Sequence, residues 1–289
     1  MIAATASYLT AHENSNGKTD ENTSRSKWLL RIEDVDTQRK KTGASTSIIK
    51  TLEAYGFEWD GEIIYQSQRT DAYQAALESI QQHSYPCSCT RKELQATTPQ
   101  GTNSYLYPGF CRTGLKNSDS THLSIRLKTN NKIICFDDKC QNTSLCQNIQ
   151  QEIGDFIIKR SDGLFAYQLA VVVDDAWQGV TDIVRGADLY DNTPQQIFLQ
   201  QILGYSQPNY LHFPVAIDQL GKKLSKHNFS PEVSIRDKRT NIINALNFLG
   251  QETPSIDNFS SSEDLWAWAL KNWDSAKIPR KMTKSIDNE

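Results

Sequence analysis

The stretch Trp28-Leu29-Leu30-Arg31-Ile32-Glu33-Asp34-Val35-Asp36 decides the fold. Its first five residues read as a short buried strand, and the acidic cluster behind them ends it. Ile48, Ile49, Leu52 and Tyr55 follow at helical spacing, with Gly56 as the C-terminal stop. Residues 62–65 form a second strand candidate. Tyr73, Ala76, Leu77 and Ile80 mark another amphipathic helix, which Thr70 or Asp71 is expected to cap. Strands alternating with helices at this spacing predict a parallel sheet built from βαβ units. Glu33 then falls at the carboxyl end of a parallel strand, where open α/β sheets place their ligands.

Residues 12–27 carry no aliphatic or aromatic side chain and are expected to form a solvated loop. From residue 87 to about 150 the alternation gives way to cysteines, Asn, Gln and Ser, with short strands such as 123–127. The α/β pattern resumes at Asp155-Phe156-Ile157-Ile158, and Leu169 to Val173 reads as an apolar strand. Thr193-Pro194 opens a helix carrying Ile197, Phe198, Ile202 and Leu203, closed by Gly204. Further helices are expected over 240–249, ending at Gly250, and over 260–273, giving a helical tail. The expected organisation is an α/β body over 1–86 and 151–230, an insertion over 87–150 and a helical region over 231–289.

At 38% hydrophobic residues and a mean hydropathy of -0.57, the 289-residue chain reads as soluble and globular. No apolar run approaches the eighteen or so residues needed to cross a bilayer. The start at Met1 carries no basic leader, so a cytoplasmic location is expected. Net charge is -3, from 31 basic and 34 acidic residues, whereas a stable nucleic-acid scaffold is usually basic. A transient RNA substrate needs only a local basic surface, so the balance fits an enzyme acting on RNA.

Two constellations carry chemistry. After the apolar run 211–217 comes Gly221-Lys222-Lys223-Leu224-Ser225-Lys226-His227, a cationic arm suited to a polyphosphate whose charge grows at a leaving oxygen. Alone, it reads rather as a solvated basic turn. The six cysteines form two groups, Cys87, Cys89 and Cys111, and Cys135, Cys140 and Cys146. Without an export signal, thiols or metal ligands are favoured over disulfides. Thiolates in the first group suit zinc, although free thiols in a β-hairpin fit the spacing too. The second group reads as incidental thiols.

Four motifs occur in order: Arg31-Ile32-Glu33-Asp34, the stretch Phe165-Ala166-Tyr167-Gln168-Leu169-Ala170-Val171-Val172-Val173-Asp174-Asp175, the run Gly179-Val180-Thr181-Asp182-Ile183-Val184-Arg185-Gly186-Ala187-Asp188-Leu189, and Lys223-Leu224-Ser225-Lys226. Together they resemble the glutamyl branch of the class I aminoacyl-tRNA synthetases, the lysine loop being similar to that family's KMSKS loop. Only about sixty residues follow Lys226, which favours the short paralogues that glutamylate queuosine in tRNA(Asp). The resemblance implies a Rossmann-like catalytic domain with a zinc-binding insertion and a small helical C-terminal region. It implies that Cys87, Cys89, Tyr107 and Cys111 hold one structural zinc. Glu33, Tyr167 and Arg185 are implied to contact L-glutamate. An anionic Glu33 suits the α-ammonium group, and the Arg185 guanidinium can clamp a carboxylate with two parallel hydrogen bonds. Lys223 and Lys226 are implied to be catalytic, with Lys226 meeting ATP and Mg2+ accompanying the nucleotide. Asp174 and Asp175 are expected near the sugar or the tRNA end. The family's activity is ATP-dependent, tRNA-independent activation of glutamate and its transfer to queuosine, by a protein expected to be monomeric. Family members carry a first strand and a HIGH-type signature ahead of the helix that here begins Ile2-Ala3-Ala4. Residues 1–289 contain no counterpart, nor a G-x-G-x-x-G or P-loop, and are expected by themselves to be weakly active or an inactive tRNA-binding remnant.

Overall fold

The computed structural model describes residues 1–13, 26–36, 42–97, 106–141, 143–224 and 233–286. Helix α1 (Ile2–Glu13) precedes β1 (Arg31–Ile32), α2 (Ala44–Ala54), β2 (Ile64–Tyr65) and α3 (Thr70–Ser79). Next come β3 (Ser84–Cys87), α4 (Arg91–Thr97), β4 (Ser124–Leu127), the hairpin β5 (Ile133–Asp137) and β6 (Ser144–Asn148), α5 (Ile149–Glu152) and β7 (Ile157–Lys159). The remainder is α6 (Tyr167–Gln178), β8 (Asp182–Gly186), α7 (Thr193–Leu203), β9 (Asn209–Phe213), β10 (Val215–Ile217), α8 (Lys238–Phe248), α9 (Ser262–Asn272) and β11 (Thr283–Ser285). No helix among the described residues is long and apolar enough to cross a membrane.

The parallel pairing expected from the βαβ pattern is present, but in separate pairs rather than one sheet. β1 pairs with β2, and β8 with β9, each parallel. β1 is only two residues long because Asp34 turns the chain away, its carboxylate taking the Ser67 amide and hydroxyl at 3.0 Å each. β3, β4 and β7 form an antiparallel sheet, so β4 sits between a strand before it and one after it in sequence.

Two buried clusters hold these elements together. One joins α3, α6 and α7 to Ile134 and Phe136 of the hairpin and to Tyr210 of β9. The other packs α1 against α8 and α9 around the edge-to-face aromatic group Tyr8, Trp28, Phe57 and Trp266. Leu211 and Phe213 of β9 reach into this second cluster, so β9 belongs to both.

Four expectations need correction. Leu169 to Val173 lie within helix α6, not a strand. All five are buried because α6 packs among α3, α7 and β7, and a helix apolar on every side shows no period to separate it from a buried strand. Neither Thr70 nor Asp71 caps α3, whose flanking residue is Arg69, with no side-chain cap. Asp71 instead lies in the first turn, where a carboxylate meets the positive end of the helix dipole. The tail is not wholly helical, since β11 joins β10 in parallel. Of the expected loop 12–27, His12 and Glu13 complete α1, and 14–25 lie outside the described residues.

The cysteine reading also changes. Cys135 and Cys146 stand directly opposite each other in the β5–β6 register and are joined as a disulfide, their Cα atoms 4.1 Å apart. Facing positions of an antiparallel pair bring two Cβ atoms within bridging reach, a proximity set by a hairpin register that the sequence does not reveal. Cys140 is a buried free thiol. Replacing both bridged residues, Cys135→Ser with Cys146→Ser, is expected to lower the unfolding free energy by up to about 3 kcal/mol, the loop-closure value for a loop of this size. Urea denaturation reads the change; reductant should shift the parent midpoint and not that of the double variant.

Candidate active site

The expected site residues gather at the carboxyl ends of β1 and β8. Arg31, on β1, turns inward to Asp175 at 2.8 Å and to the Gln178 side chain at 2.7 Å, both on α6. Glu33 follows β1, exposed, with Arg31 Nη2 at 3.4 Å from its carboxylate. Tyr167 opens α6. Arg185 is the penultimate residue of β8, and Thr193 at the start of α7 accepts from its Nη2 at 2.9 Å.

Electrostatics tie these groups into one place. Burial raises the Tyr167 hydroxyl's pKa, Glu33 and Asp175 push it further, and Arg185 and Gln196 pull it back. Burial likewise raises the Asp175 carboxyl, opposed by Arg31 and Arg185 and reinforced by Glu33. The Tyr167 hydroxyl therefore feels both acidic and basic groups, a setting that suits a ligand carrying both charges.

The two aspartates expected near the sugar or tRNA divide in function. Asp174 is fully buried and accepts from Gln66 at 2.9 Å, Arg69 at 2.6 Å and the Tyr73 hydroxyl at 2.6 Å, so it ties α6 to α3. Asp175 faces Arg31 and the site. Adjacent helical residues point about 100° apart, which separates them. Gln196 belongs to the site from outside the four motifs, and Arg31, which opens one of them, carries no expected role there; its signal is a charged residue inside an apolar strand.

The lysine loop reaches the same strand end. Leu224 donates its amide to Ala216 at 2.9 Å, folding the loop back along β10. Lys223 Nζ meets Asp188 at 2.6 Å, three residues beyond Arg185. Lys226, and Ser225 with it, lie outside the described residues.

The first cysteine group converges away from these strands. The Sγ atoms of Cys87, Cys89 and Cys111 all lie within 4.8 Å of one another. The Tyr107 hydroxyl stands 3.3 Å from Cys87 Sγ and 3.8 Å from Cys89 Sγ. Burial acts to raise the Cys111 thiol, but hydrogen bonds from Lys116 and Ser88 outweigh it and bring it down to about 6. Cys89 is pushed by burial up to about 12. Three thiolates so close would repel one another unless a cation sat among them, so this donor set fits a metal. Arg126 supports the cluster: its Nε donates to Cys87 Sγ at 3.2 Å, and its guanidinium lies over the Tyr107 ring at 3.7 Å.

With this geometry in place, the chain matches the model of the tRNA synthetases class I (E and Q) catalytic domain over residues 21–288. The chain belongs to that family. It is 42% identical over 285 residues to the glutamyl-Q tRNA(Asp) synthetase of Dechloromonas aromatica (strain RCB), covering 97% of this chain and 91% of that one. The protein of the same name from Chromobacterium violaceum is 46% identical over 254 residues, covering 87% and 84%. Among solved structures, a glutamate-tRNA synthetase from Elizabethkingia anophelis superposes with TM-score 0.76 at 22% identity. This family member spans 64% of the length of that structure, and the likeness establishes the catalytic-domain fold.

One glycine anchors the cysteine cluster to this fold. Gly154 has φ +76, and a Cβ there would sit 2.3 Å from the Tyr107 carbonyl oxygen. Gly154→Ala is expected to destabilise the protein by more than about 1 kcal/mol, through both the close contact and the left-handed backbone. Amide hydrogen exchange should show Tyr107, whose amide donates to the Ile153 carbonyl at 3.0 Å, losing protection before the α6–α7 core does.

Proposed function

We propose that this synthetase-family protein activates L-glutamate with ATP, without needing tRNA, and transfers it to queuosine in the anticodon of tRNA(Asp). The observation that carries the reading is the Arg185 guanidinium at the end of β8, in a site whose acidic groups are Glu33 and Asp175. Glutamate is a zwitterion with one further carboxylate. Arg185 holds that side-chain carboxylate, Glu33 the α-ammonium group, and the Tyr167 hydroxyl bonds the ligand between them. Glutamine lacks the charge that a guanidinium selects.

An oxygen of the α-carboxylate attacks the α-phosphorus of ATP, and pyrophosphate leaves with the bonding electron pair. Lys223 and Lys226 neutralise the departing phosphates. Mg2+, when bound with ATP, screens the same oxygens. A queuosine cyclopentene-diol hydroxyl then attacks the activated carbonyl, forming the ester and releasing AMP. No side chain forms a covalent bond, so placement and fixed charge supply the rate. The protein acts as a monomer.

Cys87, Cys89, Cys111 and Tyr107 hold a structural zinc ion in this reading. A tetrahedral site with Zn–S bonds of about 2.3 Å separates its sulfurs by about 3.8 Å. The 3.6 Å between the Cys89 and Cys111 sulfurs supports that fit.

Deleting the gene is expected to leave tRNA(Asp) with unmodified queuosine, read by mass spectrometry of its nucleosides; persistence of the glutamyl form would sink the reading. In glutamate-dependent ATP–pyrophosphate exchange, Arg185→Ala should raise the glutamate requirement about 10²-fold or more, the loss seen when one member of a buried charge pair is removed. ATP affinity should change little; equal damage to both substrates would make Arg185 structural. Elemental analysis should find about one zinc per chain, lost in a Cys87→Ser, Cys89→Ser double variant.

A further inference from the structure

We propose that Asp138 and His212 are positioning residues that fix which face Arg185 turns to the amino acid, an inference resting on Arg185 as the carboxylate-binding group. Arg185 and His212 are register partners in the parallel pair β8–β9, so their side chains leave the same face of the sheet. The His212 and Asp138 side chains are both fully buried. Asp138 reaches them from the end of the β5–β6 hairpin, which docks on β9 where Lys139 donates its amide to the Tyr210 carbonyl at 2.9 Å.

The hydrogen-bond polarity allows one arrangement. Asp138 accepts from the Cys140 amide at 3.0 Å, the Gln141 amide at 2.8 Å and the His212 amide at 3.1 Å. Its Oδ2 also lies 2.6 Å from His212 Nδ1. A carboxylate accepts and does not donate, so Nδ1 carries the imidazole proton. Burial holds His212 in its neutral form against the pull of Asp138, and Arg185 adds to the effect of burial. Nε2 therefore presents a lone pair, and Arg185 Nε–H donates to it at 3.0 Å.

The consequence lies in what remains of the guanidinium. Its Nε–Nη2 edge is held by His212 and Thr193, and Nη2 also donates to the Leu189 carbonyl at 3.5 Å, while Nη1 has no hydrogen-bond partner among the described residues. Nη1 is thus left for a ligand carboxylate, and the edge that could compete is occupied. The other imidazole tautomer would set Nε2–H against Nε–H, two donors face to face, and turn the guanidinium away. A displacement on the scale of about 1 Å can cost about 10²-fold in a positioned site.

The test measures L-glutamate and ATP binding by calorimetry on the full chain, with nitrogen-15 NMR of the imidazole. The parent protein should show Nδ1 protonated. Asp138→Asn, which keeps shape but offers an N–H to Nδ1, should move the proton to Nε2 and weaken glutamate about 10- to 100-fold. ATP affinity should stay within about twofold. His212→Gln can accept from Arg185 and donate to Asp138 and should recover most of the glutamate affinity, whereas His212→Leu should not. Parent protein that binds no glutamate would overturn the Arg185 assignment and this inference with it. Glutamate binding that is intact in the parent and equal in His212→Gln and His212→Leu would overturn this inference alone. So would Nε2 protonated in the parent, a result needing no folded variant.

Discussion

The parallel register that sets Arg185 opposite His212 is the constraint on which the site depends. Side chains alternate faces along a strand, so a slip of one residue would turn Arg185 to the opposite face and leave His212 buried without its donor. Burial on both sides prevents that slip. Tyr210 and His212 of β9 lie against Phe136 and Tyr190, while Leu211 and Phe213 face the α1–α8–α9 cluster. Each face of β9 has its own apolar partner, so shifting the strand would expose both sets at once. A site built on this strand inherits the stability of two cores.

The cysteine cluster follows a different principle. Its apolar residues are few, namely Tyr85, Cys87, Tyr107 and Cys111 with Cys89 and Leu94 beside them. So small a cluster cannot offset much backbone entropy by burial, and its order depends on polar bonds. Arg126 serves both sides of that boundary. It donates to Cys87 Sγ within the cluster and, through Nη1, to the Asp155 carbonyl at 2.7 Å in the segment leading to β7. Asp155 in turn accepts from the Tyr85 hydroxyl and the Thr129 amide, so the cluster is attached to the body by a buried polar network.

Legibility in the sequence varies with the range over which each feature is determined. The α2, α7, α8 and α9 segments and the end of β1 follow from local periodicity and from Gly, Ser and Pro signals. Glu33, Tyr167 and Arg185 stand in recognisable motifs, and the fold brings the charges of Glu33 and Arg185 to bear on the Tyr167 hydroxyl. The Cys135–Cys146 bridge is not legible, because it depends on a hairpin register that no nearby residue dictates. Nor is Asp138, an acidic residue at the end of an alternating strand, which reads from sequence as a solvated turn. Its partner is 74 positions away, and only the docking of the hairpin on β9 buries the two together. Leu169 to Val173 mislead for the opposite reason: burial on every side erases the period that would mark a helix.

The Lys223–Asp188 ion pair ties the described end of the lysine loop to the turn that follows β8. Both side chains are substantially exposed, so the pair contributes on the order of 0.2–1 kcal/mol. Asp188 lies in the 3-10 turn that begins where β8 ends, and a Cβ on Gly186 would come within 2.5 Å of its Oδ1. Its carboxylate is therefore packed over the backbone immediately after Arg185.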